Sequence, residues 1–148
     1  MRDTHFTLQE RRMISWLRIC AVFYLMLASL IAFLPNIFVN YINNLGLAFF
    51  DFISFDRQGN PLGHWWTMGV ALMSVLVYCS FKAQSDWILY HLFTPILIIA
   101  GVVLTICFAV MAFIESIQFY FIVGGGLFFF MTAITWFYYV KAIHSRTF

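Results

Sequence analysis

The chain has 148 residues, of which 64% are hydrophobic and only 9% are charged, and its mean hydropathy is +0.91. A soluble domain carries roughly 25% charged residues, so this composition predicts a protein whose apolar surface faces lipid. The net charge is +2, and the basic residues are scattered at segment ends instead of forming one face, which argues against nucleic acid as a partner.

The first predicted element is a transmembrane helix over about residues 12–34. Thr7 and Glu10 have the spacing of a capping box, which predicts a helix start before this run. Pro35 lacks a backbone N–H and predicts its end. The apolar run is too long for a cleavable signal and has no small-residue cleavage site, so we expect this helix to remain in the mature protein.

A segment of another kind follows over residues 37–54. Four asparagines recur there at offsets of four, seven and eight, namely Asn36, Asn40, Asn43 and Asn44. This spacing places them on one face of a helix. The amphipathic pattern predicts an interfacial helix that lies along the membrane surface on the outer side.

Three further spans are predicted, over about residues 64–81, 87–114 and 119–140. A short loop at 83–85, with Ser85 as the N-cap of the following helix, predicts a hairpin between the second and third spans. No repeat or linker is evident, so residues 1–148 are expected to form one domain. The predicted fold is an all-α integral membrane protein, a bundle of four transmembrane helices with the interfacial helix between helices 1 and 2.

The basic residues predict the orientation of these spans. Seven of them fall on one side of the predicted membrane, namely Arg2, Arg11, Arg12, Arg18, Lys82, Lys141 and Arg146, and Arg57 alone falls on the other. The positive-inside rule therefore predicts that both termini are cytoplasmic. We expect a bacterial inner (plasma) membrane, with the lipid bilayer as the first partner.

Small residues predict where the helices approach each other, since helix packing in lipid depends on close backbone contact. Spacings of four and a glycine triplet mark the candidate packing positions, which are Gly101, Thr105, Ala109, Ala28, Ala32, Gly124, Gly125 and Gly126. Phe128, Phe129 and Phe130 follow the triplet, and periodicity does not decide which of them face the interior.

One candidate binding site lies at the start of the third span, where Tyr90, His91, Thr94 and Pro95 occur together. Pro95 is expected to leave the His91 carbonyl unpaired and to bend the helix. An ionisable residue beside such a bend suggests a ligand, although His91 is also close enough to the predicted interface to reach the headgroups.

Arg18 lies inside the first apolar run, where a charge must extend to the interface or find a partner. The interpretation we favour is that it extends to the headgroups. The alternatives are a salt bridge to Asp86 and contact with an anionic lipid headgroup.

A second candidate group lies on the predicted outer face and contains His64, Trp65, Trp66, Asp51 and Arg57. A pocket with a titratable histidine is one interpretation. A membrane-interface anchor is the simpler one, because tryptophan is enriched at that boundary without any ligand.

Several kinds of chemistry are disfavoured by the residues. A bis-histidine haem needs two histidines at matching depth, and His64 is predicted on the opposite side from His91 and His144. Proton-coupled antiport normally needs a carboxylate inside a span, and Asp86 and Glu115 fall at turns. No catalytic or metal-ligand pattern is present, so an enzyme is disfavoured and no cofactor or metal is expected.

The order of these features resembles the DoxX-like group of small four-helix bacterial membrane proteins. The resemblance rests on a basic entry to the first span, on the proline and amphipathic stretch from Phe33-Leu34-Pro35 to Leu47, and on Trp66-Thr67-Met68-Gly69 in a short second span. It lies in topology more than in sequence. Because the functions in that group are diverse or unknown, it implies a fold and little more.

Three functions remain open from the sequence. The first is a non-catalytic accessory or structural subunit that packs against other membrane subunits or against itself. The second is a lipid or quinone binder or carrier with its site at the His91 to Pro95 bend. The third is a small oligomeric pore lined by hydroxyl groups, namely those of Ser29, Ser74, Thr105 and Thr132.

Overall fold

The computed structural model of the chain describes residues 6–50, 62–85, 87–114 and 119–145, and at 35–36, 38–39, 62–68, 88, 90 and 114 it describes the backbone alone. The helices in these ranges are α1 (Leu8–Phe33), α2 (Pro35–Phe50), α3 (Leu62–Ser85), α4 (Trp87–Tyr90), α5 (Phe93–Ile114) and α6 (Phe119–His144). Within the described ranges, three of them, α1, α5 and α6, are long and apolar enough to cross a membrane. The structure is therefore all-helical and fits an integral membrane protein, as the composition predicts.

The start and the end of α1 are as predicted. The Thr7 N–H donates to Glu10 Oε2 at 2.8 Å, and the Glu10 N–H donates to Thr7 Oγ1 at 3.2 Å, so the predicted capping box is confirmed. Leu34 leaves the helical conformation, and Pro35 then opens α2. Proline suits that position because a first-turn N–H has no helical acceptor.

Four long helices share one core. α1 packs on α3, α3 on α5, α5 on α6, and α6 on α1. Leu17, Leu76, Leu97 and Phe128 are members of the buried cluster that joins them. Large apolar side chains also cover the outward faces, which is typical of helices in a bilayer because lipid solvates them there.

The two ends of the molecule are defined by polar contacts. At the end that we call the terminal end, the hydroxyls of Thr7 and Ser145 form a hydrogen bond of 2.9 Å. At the opposite end, called the distal end, the Tyr120 N–H donates to Asn43 Oδ1 at 3.3 Å. The first contact joins the start of α1 to the end of α6, so the chain enters and leaves the described structure at the same end.

The predicted interfacial segment is helical as α2 and packs on the start of α6. Gly46 is buried, and a Cβ there would collide with the Phe119 ring, which stacks on Phe50 at 5.4 Å between centroids. Asn43 turns toward α6 while Asn40 and Asn44 are exposed. The side chain of Asn36 and residues 51–54 lie outside the described residues.

The third predicted span is interrupted instead of bent at its proline. α4 ends at Tyr90 and α5 begins at Phe93. The His91 carbonyl accepts the Thr94 N–H at 3.1 Å, so the prediction that this carbonyl is unpaired is wrong. Pro95 is the third residue of α5, where its missing N–H interrupts no helical hydrogen bond.

The loop predicted at residues 83–85 is the last turn of α3. Ser85 ends that helix, and its hydroxyl donates to the Lys82 carbonyl at 2.9 Å. The prediction that Ser85 caps the following helix is therefore wrong. A carbonyl at a helix end lacks its usual partner, and a nearby serine hydroxyl supplies one.

The small residues separate into two groups. Four lie at helix contacts: Ala28 is in the core, a Cβ at Gly101 would collide with the Thr132 hydroxyl, and Gly124 and Gly125 lie against Phe108. Thr105 is half-buried, Ala32 and Ala109 are exposed, and a Cβ at Gly126 would meet nothing. Phe128 is 2% exposed, whereas Phe129 and Phe130 are each 64% exposed.

Candidate functional site

An apolar cavity of about 350 Å³ lies between α1 and α6 in the distal half of the molecule. Its walls come from five helices and consist of Phe23, Met26, Leu27, Leu30, Ile31, Ile42, Met73, Phe108, Tyr120, Val123, Gly124, Leu127 and Phe128. None of these lining side chains carries a charge. The cavity is partly open to its surroundings, which for these helices is the bilayer.

The cavity exists because α1 and α6 are held together near the terminal end. The Trp16 indole N–H donates to Thr135 Oγ1 at 2.9 Å, and the Trp16 and Tyr138 rings lie 6.0 Å apart. Farther along, Tyr24 stacks on Phe128 with centroids 6.5 Å apart. From Phe23 onward along α1, and from Phe128 back toward the start of α6, residues of both helices line the cavity.

Stacked rings form one wall of the cavity. Phe108 of α5 stacks on Phe128 at 5.7 Å and meets Phe121 edge-on at 6.3 Å. A Cβ at Gly124 would collide with the Phe108 ring. The glycine therefore leaves room for the Phe108 ring against α6, where the ring forms part of the cavity wall.

The α2 helix closes the cavity at the distal end. Ile42 contributes to the lining, and Asn43 next to it accepts the Tyr120 N–H. This N–H belongs to the first turn of α6 and has no partner within its own helix. The asparagine thus anchors α2 over the cavity without lining it.

The chemistry of the lining selects apolar ligands. Burying a charged group there would cost several kcal/mol because no side chain in the lining compensates it. An alkyl or isoprenoid chain loses nothing, since its surroundings are hydrocarbon in either place. The arrangement can hold a chain but cannot by itself bind a charged headgroup or perform acid–base chemistry.

The residues predicted at the His91 bend are not part of this cavity. His91 is half-buried with its ring 6.4 Å from that of Trp87, which is itself buried and lies 6.2 Å from Tyr139. Thr94 is fully buried, and Pro95 is half-buried. They pack into the core near the terminal end, whereas the cavity is distal, and the Tyr90 side chain is outside the described residues.

The other predicted site residues are placed only in part. Arg18 is exposed on α1 and forms no ion pair with any described residue. Its proposed partner Asp86 is not described. Asp51 and Arg57 also lie outside the described residues, and the outer-face group of His64, Trp65 and Trp66 has only its backbone described, in the first turns of α3.

The sequence contains no signal for the cavity. Leu127 lines it while Phe130, three residues along the same helix, faces outward. Both are apolar, as are nearly all of their neighbours, so hydropathy cannot separate a cavity wall from a lipid-facing surface. The glycine triplet was the nearest indication, because Gly124 makes room for Phe108.

The comparisons with known proteins assign no family. No family model matches the chain, and neither a curated protein nor a solved structure is significantly similar to it. The resemblance to the DoxX-like group stays a prediction from topology. The functional argument therefore depends on the cavity between α1 and α6.

Proposed function

We propose that this protein is an integral membrane protein that binds the apolar chain of a lipid, either an acyl chain or the isoprenoid tail of a quinone. The observation that carries the proposal is the uncharged cavity of about 350 Å³ between α1 and α6. This is the lipid or quinone function considered from the sequence, with its site moved from His91 to the distal cavity.

The size of the cavity supports an occupant. Ligand pockets of proteins range over roughly 300–1,000 Å³, and this one falls within that range. Left empty, a space of about 350 Å³ deprives the atoms of its wall of van der Waals contacts. Hydrocarbon that can reach it therefore gains by filling it.

The polarity of the cavity indicates which part of the ligand the cavity holds. A quinone ring or a phosphate needs hydrogen-bond donors, and the lining is almost entirely hydrocarbon. The polar headgroup therefore stays outside, at the partly open side. Selectivity among ligands comes from the length and branching of the chain.

The proposal includes four spans with both termini in the cytoplasm of a bacterium. α1, α5 and α6 are the three candidates among the described residues, and we propose the 24-residue helix α3 as the fourth span. The contact between Thr7 and Ser145 supports an even number of crossings, because it puts the two chain ends at one end of the molecule. The excess of basic residues at that end supports its cytoplasmic location.

The two other functions receive less support. The hydroxyls proposed to line a pore donate to carbonyls of their own helices at 2.7–2.9 Å, which holds for Ser29, Ser74, Thr105 and Thr132. The accessory-subunit function stays a prediction, since the exposed apolar faces of the described helices suit lipid as well as a protein partner.

The test is to fill the cavity with a side chain. Val123 lines the cavity, and its neighbour Ile122 is exposed on the same helix, so Val123→Trp and Ile122→Trp place the same indole in different surroundings. After detergent purification, lipids retained by each variant are extracted and quantified by mass spectrometry. We expect Val123→Trp to retain about tenfold less lipid, or about 1.4 kcal/mol of binding, and Ile122→Trp to match the wild type.

Thermal unfolding in detergent is the control for folding. Val123→Trp should unfold at or above the wild-type temperature, because its indole replaces the missing contacts of the cavity. Equal lipid retention by the two variants, with both folded, would refute the proposed function.

A further inference from the structure

A second groove lies between α1 and α6 at the terminal end, separate from the distal cavity. It has a volume of about 290 Å³ and is lined chiefly by Arg11, Arg12, Ser15, Trp16, Ile19 and Tyr138. We propose that this groove binds an anionic phospholipid, with the lipid phosphate held by Arg11 and Arg12. The proposal does not depend on the function of the distal cavity.

The two arginines are available for a ligand. Both are exposed, and neither forms an ion pair with any residue that the structure describes. Glu10, the acidic residue beside them in sequence, is fully buried and its carboxylate accepts the Thr7 N–H at 2.8 Å. Guanidinium groups bind phosphate oxygens in a bidentate manner, so the groove complements an anionic headgroup in charge and geometry.

The aromatic wall of the groove is fixed in place. Trp16 donates its indole N–H to Thr135 Oγ1 at 2.9 Å, and Thr135 in turn donates to the Met131 carbonyl at 2.7 Å. The indole therefore points its polar group into the protein and presents its ring beside Tyr138. A rigid apolar wall next to two cations suits a ligand that is charged at one end and apolar at the other.

Along the exposed face of α1, polar residues are followed by apolar ones, as the headgroup of a phospholipid is followed by its acyl chains. After Arg11 and Arg12 come Ser15, Ile19 and Val22, all exposed and separated by three or four residues, which places them on one helix face. Charge, hydroxyl and hydrocarbon follow one another in these residues, and Arg18, exposed on the same face between Ser15 and Val22, adds a third cation there. From Arg12 to Val22 this spans roughly 15 Å at about 1.5 Å per residue, which is close to the depth of one leaflet.

This order of polarity favours a lipid over a free phosphate ion. Inorganic phosphate would use the arginines alone, whereas a lipid also covers Trp16 and Ile19 with its glycerol and acyl groups. The lining of the groove is mostly apolar, which suits the lipid and not the free ion.

The experiment compares binding of phosphatidylglycerol and phosphatidylcholine to the purified protein in detergent by native mass spectrometry. The variant Arg11→Gln/Arg12→Gln should weaken phosphatidylglycerol binding about twenty-fivefold, since each basic residue near an anionic surface contributes about fivefold. The control Lys82→Gln/Lys141→Gln removes the same charge outside the groove and should bind like the wild type. Arg11→Lys/Arg12→Lys keeps the charge but loses the bidentate geometry, so its affinity should fall between the two.

Three results would overturn the inference. The first is an equal loss of phosphatidylglycerol binding in the Arg11→Gln/Arg12→Gln variant and in the Lys82→Gln/Lys141→Gln control, which would mean that only net charge matters. The second is equal binding of the two lipids by the wild type. The third is displacement of phosphatidylglycerol by inorganic phosphate at equal concentration, which would show a site for the free ion.

Discussion

Single hydroxyl groups in the core differ in whether they have a partner. Thr135 is buried and joins α6 to Trp16 of α1, as well as bonding to its own helix. Thr94 and Ser80 are also fully buried, but their hydroxyls have no hydrogen-bond partner in the described part of the chain. An unsatisfied buried hydroxyl costs about 1–3 kcal/mol, so the two kinds of threonine should respond in opposite ways to the same substitution.

We predict that Thr94→Val leaves stability unchanged or raises it by about 1 kcal/mol, because it removes a hydroxyl that bonds to nothing. Thr135→Val should lower stability by about 1 kcal/mol, since the Trp16 N–H loses its acceptor. Thermal unfolding in one detergent measures both. Destabilisation of the same size in the two variants would contradict this account.

Among the elements, α5 and α6 are in close contact at a glycine of α5. Gly101 is buried, and a Cβ there would collide with the Thr132 hydroxyl, which itself donates to the Phe128 carbonyl at 2.7 Å. Gly126 lies on α6 with open space around it. The structure thus separates a glycine that helix packing requires from one that it does not.

We predict that Gly101→Ala destabilises the protein by about 1–3 kcal/mol through overpacking. Gly126→Ala should be neutral or stabilising by up to about 1 kcal/mol, because alanine favours the helix. Both can be measured by unfolding in detergent.

A double-mutant cycle identifies the contact responsible. In a Thr132→Ala background, the penalty of Gly101→Ala should shrink, because the colliding hydroxyl is gone. If the penalty persists in full, the close approach involves other atoms and the α5–α6 contact is not as described.

The whole molecule is organised around its two ends. α1 and α6 meet at the terminal end through Thr7 and Ser145, and α2 packs on the start of α6 at the distal end. The groove lined by Arg11 and Arg12 lies near the first end and the apolar cavity near the second. Thr7 and Ser145 lie together at the terminal end, and the proposed four-span topology requires that α3 return the chain across the membrane.

We predict that topology reporters fused between successive proposed spans report from alternate sides of the membrane. Fluorescent protein, which is active in the cytoplasm, should report at the N-terminus, after Ser85 and at the C-terminus. Alkaline phosphatase, which is active outside it, should report after Pro61 and after Ser116. The same reporter active after both Pro61 and Ser85 would show that α3 does not cross.

The sequence by itself determined the features that depend on neighbouring residues. The capping box of Thr7 and Glu10 and the helix boundary at Pro35 follow from hydrogen bonds within one turn, so their spacing was sufficient. The apolar composition likewise determined that the helices face lipid. The sequence predicted a bend at Pro95, whereas the helix is interrupted between Tyr90 and Phe93. A proline is accepted in the first turn of a helix and disrupts a helix interior, so its position alone does not show which of the two is present.

Only the tertiary structure decided where the apolar side chains leave space. Trp16 and Thr135 are 119 positions apart in the chain, and their hydrogen bond helps to hold α1 and α6 together at one end, while the cavity lies between the same helices toward the other end. Leu127 and Phe130 have the same hydropathic character, yet one lines the cavity and the other faces out. In this chain the cavity wall and the outward-facing surface are both apolar, so polarity does not distinguish them. The distance between helices that are far apart in the sequence decides which side chains line the cavity.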